Sequence, residues 1–158
     1  MKLKRSLPII LFVLLCLILG YISGDVTADA IPGWYQGLKK PHFNPPDWVF
    51  APVWTLLYIM MGWAAGRIYN SGFEKQEVKY ALSAFMIQLF LNVLWSQLFF
   101  GMKDPFLALI DIFLLLAAIS WTMIRFKNID KTSAYLLYPY LAWVCFATIL
   151  NASIVWLN

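Results

Sequence analysis

One stretch of the sequence places amide, indole and hydroxyl side chains on a single helical face. Four residues follow Gln88 at spacings of four, seven, eight and eleven, and the set is Gln88, Asn92, Trp95, Ser96 and Phe99. Residues at such spacings share one face of a helix. These groups could bond to a neighbouring helix, which contributes only ~0.6 kcal/mol per bond on average in membranes. They could also form the polar wall of a ligand pocket, the reading that we favour.

Two further stretches carry aromatic residues at helical spacing. The first set is Phe50, Trp54, Tyr58 and Met61, and the second is Trp143, Ala147, Leu150 and Asn151. Such stripes are often plain packing surfaces. Three of them in one chain, each with Trp beside polar or small residues, instead indicate a pocket for a flat, apolar, polycyclic ligand, which aromatic walls bind by stacking and burial.

The apolar runs contain few residues that could ionise, bind a metal or act as a nucleophile. Asp111 is the one ionisable residue well inside an apolar run. Such a residue either pairs with a polar neighbour or lines a cavity, and both alternatives stay open. His42 is the sole histidine, and the two cysteines have no metal-ligand spacing. The sequence therefore predicts no metal site, and it contains no phosphate-binding glycine loop and no nucleophile elbow.

The amino-acid composition indicates whether these segments lie in water or in lipid. Of 158 residues, 62% are hydrophobic and 13% are charged, against about 45–50% and about 25% in soluble domains. A small soluble domain cannot bury that much apolar surface. The net charge of +4 lies in short clusters between apolar runs, which is the membrane-protein pattern and argues against a nucleic-acid partner. The expected partner is a lipid bilayer.

Five apolar runs are long enough to cross a bilayer as helices. We predict an all-α integral membrane protein, a five-transmembrane-helix bundle forming one domain over 1–158, with helices at about 6–24, 48–69, 78–101, 105–125 and 132–156. The first run exceeds the apolar core of a signal peptide, so we expect it to be retained. Residues 25–47, with four prolines between aromatics, are expected to form a folded lid. Pro139 is expected to kink the fifth helix.

The basic residues also predict an orientation. Nine lie on the side of the N-terminus and three on the other, the nine being Lys2, Lys4, Arg5, Arg67, Lys75, Lys79, Arg125, Lys127 and Lys131. The N-terminus is therefore expected inside and the lid outside. The GxxxG pairs Gly20/Gly24 and Gly62/Gly66 are consistent with close helix packing or with a homodimer.

Four motifs in order resemble those of the TspO/MBR family, which includes bacterial tryptophan-rich sensory proteins and the mitochondrial translocator protein, or peripheral benzodiazepine receptor. The first is WY at 34–35 with LKKP at 38–41 and PP at 45–46, and the second is FAPVWTLLYIMMG at 50–62. The third is QLFLNVLWS at 88–96, and the fourth is LYPYLAW at 137–143 with FAT at 146–148 and LN at 150–151. The similarity covers essentially the whole chain.

The resemblance implies a five-helix bundle with a pocket under the lid. The family binds porphyrins, haem, sterols and isoquinoline carboxamides, so the implied ligand is protoporphyrin IX or haem, with no obligatory cofactor. Carried over by position, the implied ligand-binding residues are Tyr35, Pro45, Trp54, Tyr58, Asn92, Trp95, Asp111, Trp143 and Ala147. The family's sterol motif, with Tyr and Arg after the Leu-Asn pair, is missing here, which argues against tight sterol binding and for a bacterial cell-membrane protein. The resemblance also supports a homodimer.

Several functions remain open at this point. Our main expectation is a receptor or sensor for porphyrin-like tetrapyrroles. Some bacterial members promote light-dependent breakdown of protoporphyrin, and the implied catalytic residues would be Trp34, Trp54 and Trp143. A tetrapyrrole or sterol transporter is a further alternative, although no inverted repeat is seen. A purely structural membrane subunit is the last.

Overall fold

The computed structural model describes residues 2–158, with side chains from Arg5 onward, and this part of the chain is helical without strands. The α-helices are α1 (Lys2–Ala30), α2 (Phe50–Asn70), α3 (Gln76–Ser96), α4 (Pro105–Ile129), α5 (Lys131–Tyr135) and α6 (Tyr138–Leu157). Five helical segments of the described chain are long and apolar enough to cross a membrane, the fifth containing both α5 and α6. The predicted five-span, all-helical architecture is confirmed.

The first helix is longer than the sequence suggested. It does not stop near Gly24 but runs to Ala30 and continues as a π-helical turn over Ile31–Tyr35. Glycine and aspartate lower helix propensity by less than about 1 kcal/mol each, which packing and continued backbone hydrogen bonding can override. The lid is therefore shorter than expected, because it begins after this turn and ends at the 3-10 turn Asp47–Val49.

Pro139 marks a break in the fifth span rather than a kink. The chain turns at Leu136 and Leu137, and Pro139 lies in the first turn of α6. Proline is well tolerated there because a first-turn N–H has no partner within the helix. The short helix α5 is capped by Asp130, whose carboxylate accepts from Ser133 N at 3.1 Å.

Helices α1 and α2 pack backbone to backbone at the end opposite the lid. A Cβ added at Gly62 would collide with the Val13 backbone, and one at Gly66 would collide with Ile9. This GxxxG pair therefore serves contact within the chain, and the homodimer stays a prediction. At the lid end, a Cβ at Gly24 would meet nothing within 4 Å, so the two helices diverge there.

The outer surface of the bundle is apolar. Large hydrophobic side chains on several helices are exposed, among them Ile18, Phe90, Phe113 and Trp156. An apolar exterior of this extent suits hydrocarbon rather than water. The protein is an integral membrane protein.

Candidate ligand-binding site

A cavity of about 550 Å³ lies at the lid end of the bundle, between the ends of α1, α2, α3 and α6. This volume falls in the range of about 300–1,000 Å³ of small-molecule sites. Its aromatic wall includes Trp54, Trp95, Phe99, Trp143 and Phe146. The wall therefore offers aromatic surface against which a flat ring system can stack.

Two π-helical turns build the part of the wall nearest the lid. They are Ile31–Tyr35, after α1, and Gln97–Gly101, after α3. The widened second turn buries both Phe99 and Phe100, although the two are adjacent in sequence. Tyr35 from the first turn packs on both rings, with centroids 6.3 Å and 5.6 Å away. Single π turns are frequent at functional sites, and here they bring three aromatic rings to one corner.

Behind Tyr58, a buried hydrogen-bond chain joins three helices. The Tyr58 hydroxyl donates to Asn92 Oδ1 at 2.5 Å, and Asn92 Nδ2 donates to the Tyr140 hydroxyl at 3.1 Å. Tyr140 in turn donates to Gln88 Oε1 at 2.7 Å. The chain fixes the Tyr58 ring that lines the cavity. It also accounts for the amides of the predicted α3 stripe, which bond inside the bundle.

Tyr35, a residue of the cavity wall, bonds to the lid. The Tyr35 hydroxyl donates to Asn44 Oδ1 at 2.8 Å, and Asn44 Nδ2 donates to the Pro45 carbonyl oxygen at 3.1 Å. The Lys40 ammonium lies 4.6 Å from the centroid of the Tyr35 ring. Tyr35 thus connects the wall of the cavity to the lid.

The structure brings most of the expected ligand-binding residues together. Those that line the cavity are Tyr35, Trp54, Tyr58, Trp95, Trp143 and Ala147. Asn92 lies one hydrogen bond behind Tyr58, and Pro45 lies in the lid without lining the cavity. Of the three tryptophans implied in photochemistry, Trp54 and Trp143 line it, whereas Trp34 does not and packs edge-on against Phe99 at 5.6 Å.

Asp111 satisfies neither of the two alternatives considered for it. Its side chain is 4% exposed and does not line the cavity. Its Oδ2 has no hydrogen-bond partner among the described residues. A polar residue on α4 therefore gave no reliable indication of the pocket, because its direction depends on how α4 is rotated against α3 and α6.

Helix α1 supplies a wall that the sequence reasoning missed. Gly20, Ser23, Gly24 and Thr27 line the cavity along with Asp25. Their spacings of three and four continue the helical period past Gly24, and this was the available signal. Because the predicted helix ended at 24, Asp25 and Thr27 were assigned to the lid instead of to the helical wall.

Among the residue types that commonly hold haem iron, only tyrosine is found in the described lining of the cavity. Haem iron is usually held by His, Cys, Met or Tyr. No His, Cys or Met lines the cavity within the described part of the chain. The phenols of Tyr35 and Tyr58 donate hydrogen bonds to Asn44 and Asn92, whereas the third lining tyrosine, Tyr21, is 75% exposed. The described residues also contain no group of three or more potential metal ligands.

Comparison with known proteins agrees with this architecture. The model of the TspO/MBR family matches residues 12–157. The chain belongs to the TspO/MBR family. It is 44% identical over 155 residues to the tryptophan-rich protein TspO of Chlorobaculum tepidum, covering 98% of each chain. It is 37% identical over 146 residues to the translocator protein of Bos taurus, covering 91% of this chain and 86% of the other.

A third TspO/MBR relative carries a sensory name. The tryptophan-rich sensory protein of Cereibacter sphaeroides is 39% identical over 125 residues, covering 79% of this chain and 77% of its own. The resemblance seen in the sequence motifs is thereby confirmed across nearly the whole chain. The cavity under the lid is thus a feature of a TspO/MBR membrane protein.

Proposed function

We propose that the cavity binds porphyrin-like tetrapyrroles and that the protein is a membrane receptor or sensor for them. The observation that supports this most directly is that the indoles of Trp54, Trp95 and Trp143 line one cavity. A flat polycyclic ring gains both burial and stacking against such side chains. Isoquinoline carboxamides, with two fused aromatic rings, suit the same wall. Protoporphyrin IX and haem both present such a ring, and tyrosines are the lining residues among those described that commonly hold iron.

A titration in nanodiscs of zwitterionic lipid tests the proposal. Protoporphyrin IX is added in the dark and its own visible absorbance is followed, so that tryptophan variants do not alter the signal. Saturable binding is expected, and Trp143→Ala should weaken it about tenfold through lost stacking and burial. Trp121→Ala is the matched control, since Trp121 is exposed on α4 and does not line the cavity. Unsaturable uptake that is indifferent to Trp143 would overturn the proposal.

A second candidate function is the light-dependent oxidation of bound protoporphyrin by dioxygen. One placement favours it: Trp54 and Trp143 both line the cavity, so a bound ring would contact indoles able to donate electrons. Trp34 lies outside this wall and packs on Phe99. The roles of the three tryptophans are separable by substitution.

We also propose that the lid faces the outside of the cell, on the distribution of nine against three basic residues. Cysteine labelling with a membrane-impermeant reagent tests this in intact cells. A cysteine at Lys39, in a Cys16→Ser/Cys145→Ser background, is expected to react, while one at Lys127 is not. If only the cysteine at position 127 were labelled, the orientation would be the opposite of the one proposed.

A further inference from the structure

The Ser96 hydroxyl is a polar group of the cavity wall that is left without a partner in the protein. Ser96 is the last residue of α3, is 7% exposed and lines the cavity. Its side chain does not cap the π-helical turn that follows, and its Oγ forms no hydrogen bond to any residue that the structure describes. Buried polar groups are nearly always hydrogen-bonded in folded proteins. This hydroxyl is therefore available to a ligand in the cavity.

Other hydroxyl groups on the helices are satisfied by their own backbone. Each donates to the carbonyl oxygen four residues earlier, at 2.8 or 2.9 Å, as seen for Thr27, Thr55, Ser83 and Ser120. This bond is a common way in which Ser and Thr are satisfied inside a helix. Ser96 does not form it, so its donor is not already used within α3.

The other buried polar side chains of the described lining are engaged within the protein. The Tyr35 and Tyr58 hydroxyls donate to asparagine side chains at 2.8 and 2.5 Å, and Ser23 interacts with the Tyr58 hydroxyl. Asn151 uses both ends of its amide, because Oδ1 accepts from Trp95 Nε1 at 3.1 Å and Nδ2 donates to a backbone carbonyl oxygen at the start of α4 at 2.8 Å. Among these buried groups, the free hydroxyl belongs to Ser96.

Aromatic rings flank this hydroxyl. Trp95 precedes Ser96 in the chain, and Phe99 follows it by three residues, which places it on a neighbouring part of the same face. The two rings are stacked, with centroids 5.2 Å apart and an interplanar angle of 25°, and both line the cavity. Small-molecule sites combine such apolar walls with a few placed polar groups. A ligand oxygen bound at Ser96 would bring its attached ring onto this aromatic surface.

Building on the proposed function, we propose that the Ser96 hydroxyl donates a hydrogen bond to a carbonyl oxygen of the bound ring compound. The cavity thereby selects flat aromatic ligands that carry an acid or amide carbonyl. The aromatic wall binds any flat ring by stacking and burial, whereas Ser96 adds an interaction only for a ligand with an acceptor oxygen. Protoporphyrin IX, through its propionic acid groups, and the isoquinoline carboxamides both supply such an oxygen.

Equilibrium titration in zwitterionic nanodiscs, in the dark, tests this selection. Protoporphyrin IX is compared with etioporphyrin, the same ring system with alkyl substituents alone. Ser96→Ala is expected to weaken binding of protoporphyrin IX about fivefold, through one lost hydrogen bond, and to leave the Kd of etioporphyrin within about twofold. Ser83→Ala is the matched control, since Ser83 is exposed on the same helix and its hydroxyl donates to the Lys79 carbonyl oxygen. Comparing each ligand across variants removes its own partitioning into lipid.

Two further measurements separate a bond to the ligand from a role in folding. Thermal unfolding of the ligand-free Ser96→Ala protein should occur at or above the wild-type temperature, because no hydrogen bond within the protein is lost and alanine favours a helix. The infrared carbonyl stretch of a bound isoquinoline carboxamide, isotopically labelled at that carbonyl, should move to higher wavenumber in Ser96→Ala, since a carbonyl that accepts no hydrogen bond is stiffer. Ser83→Ala should change neither quantity.

The outcomes distinguish this selection from the proposed function. If protoporphyrin IX binds saturably and its Kd is the same in Ser96→Ala, the role of Ser96 is overturned and the proposed function stands. An equal loss of affinity for both porphyrins would show that Ser96 acts through the shape of the wall, which also overturns selection of a carbonyl. If neither porphyrin binds saturably to the wild type, the proposed function fails and this selection fails with it.

Discussion

The Asn158 side chain clasps the backbone of Lys39 with two hydrogen bonds. The Lys39 N–H donates to Asn158 Oδ1 at 3.0 Å, and Asn158 Nδ2 donates to the Lys39 carbonyl oxygen at 3.0 Å. The same Nδ2 lies 2.9 Å from the Ile154 carbonyl oxygen of α6. The clasp therefore holds the middle of the lid to the end of α6, while Tyr35 holds the lid from the cavity side.

Asn158→Ala should loosen the lid without unfolding the bundle. Two exposed hydrogen bonds together contribute about 1 kcal/mol, so hydrogen exchange at the Lys39 amide should accelerate about fivefold. Dissociation of a bound porphyrin should accelerate in the same direction. Asn128→Ala, at an exposed position on α4, should leave both rates unchanged. Identical exchange in the two variants would mean that the clasp does not restrain the lid.

The buried Tyr58–Asn92–Tyr140–Gln88 chain predicts an order of stabilities. Tyr140→Phe removes an acceptor from Asn92 and a donor from Gln88, whereas Tyr58→Phe removes only the donor to Asn92. We expect losses of about 2 and about 1 kcal/mol respectively, because each buried group left unpaired costs about 1 kcal/mol or more. Equilibrium unfolding in detergent measures both. Tyr80→Phe, at an exposed position on α3, is the control, and a larger loss for Tyr58→Phe would contradict this order.

Sequence periodicity predicted the parts of the site that lie inside regular helices. Trp54 with Tyr58, and Trp143 with Ala147, fall on inward faces because hydrophobic length and helical spacing determine both the span and its face. The wall from α1 was missed because Asp25 resembles the start of a loop. In the structure it continues a helix whose backbone stays hydrogen-bonded.

The remaining features depend on packing between helices, which a single sequence does not contain. The π turn that buries both Phe99 and Phe100 has no local signature. Asp111 is a second example. The sequence predicts that it lies within a membrane span, but it does not predict which way its side chain points. Its carboxylate is buried away from the cavity.

The close contact of α1 and α2 predicts that Gly66 and Gly24, each the second glycine of a GxxxG pair, differ in how substitution by alanine changes stability. Gly66→Ala would drive a Cβ into the Ile9 backbone, so we expect a loss of about 2 kcal/mol or more. Gly24→Ala meets open space and should be tolerated or slightly stabilising. Thermal unfolding of the two variants measures the difference. If the two variants were equally stable and Gly66→Ala changed only the oligomeric state, Gly66 would lie at a contact between two copies of the chain and not at the contact of α1 with α2.

The placement of the tryptophans predicts which ones support light-dependent loss of porphyrin. Trp54→Phe and Trp143→Phe should each slow the loss about tenfold or more while binding changes little, since Phe preserves an aromatic surface but is a poorer electron donor. Trp34→Phe should retain the wild-type rate because Trp34 does not line the cavity. Porphyrin absorbance is followed under illumination against a free-tryptophan control. If all three variants lost porphyrin at the wild-type rate, the loss would be unspecific photobleaching.

The Arg67–Asp130 pair predicts the acid sensitivity of the end opposite the lid. The hydrogen bond from Arg67 Nε, at 2.8 Å, is the main reason that the pKa of Asp130 falls from 3.8 to about 2, with Ser133 adding to the effect. A carboxylate with a lowered pKa in the folded state stabilises the fold above pH 3.8, and this contribution is lost as the pH falls towards 2.

Asp130→Asn keeps an oxygen to cap α5 but removes the charge. The wild type should therefore exceed the variant by about 1 kcal/mol at neutral pH, a modest value because the guanidinium is 38% exposed and water screens the pair. The difference should shrink between about pH 4 and pH 2, as Asp130 becomes protonated. Unfolding of both proteins across this range measures it. A constant difference at all pH values would show that the charge of Asp130 contributes nothing and that only the changed cap matters.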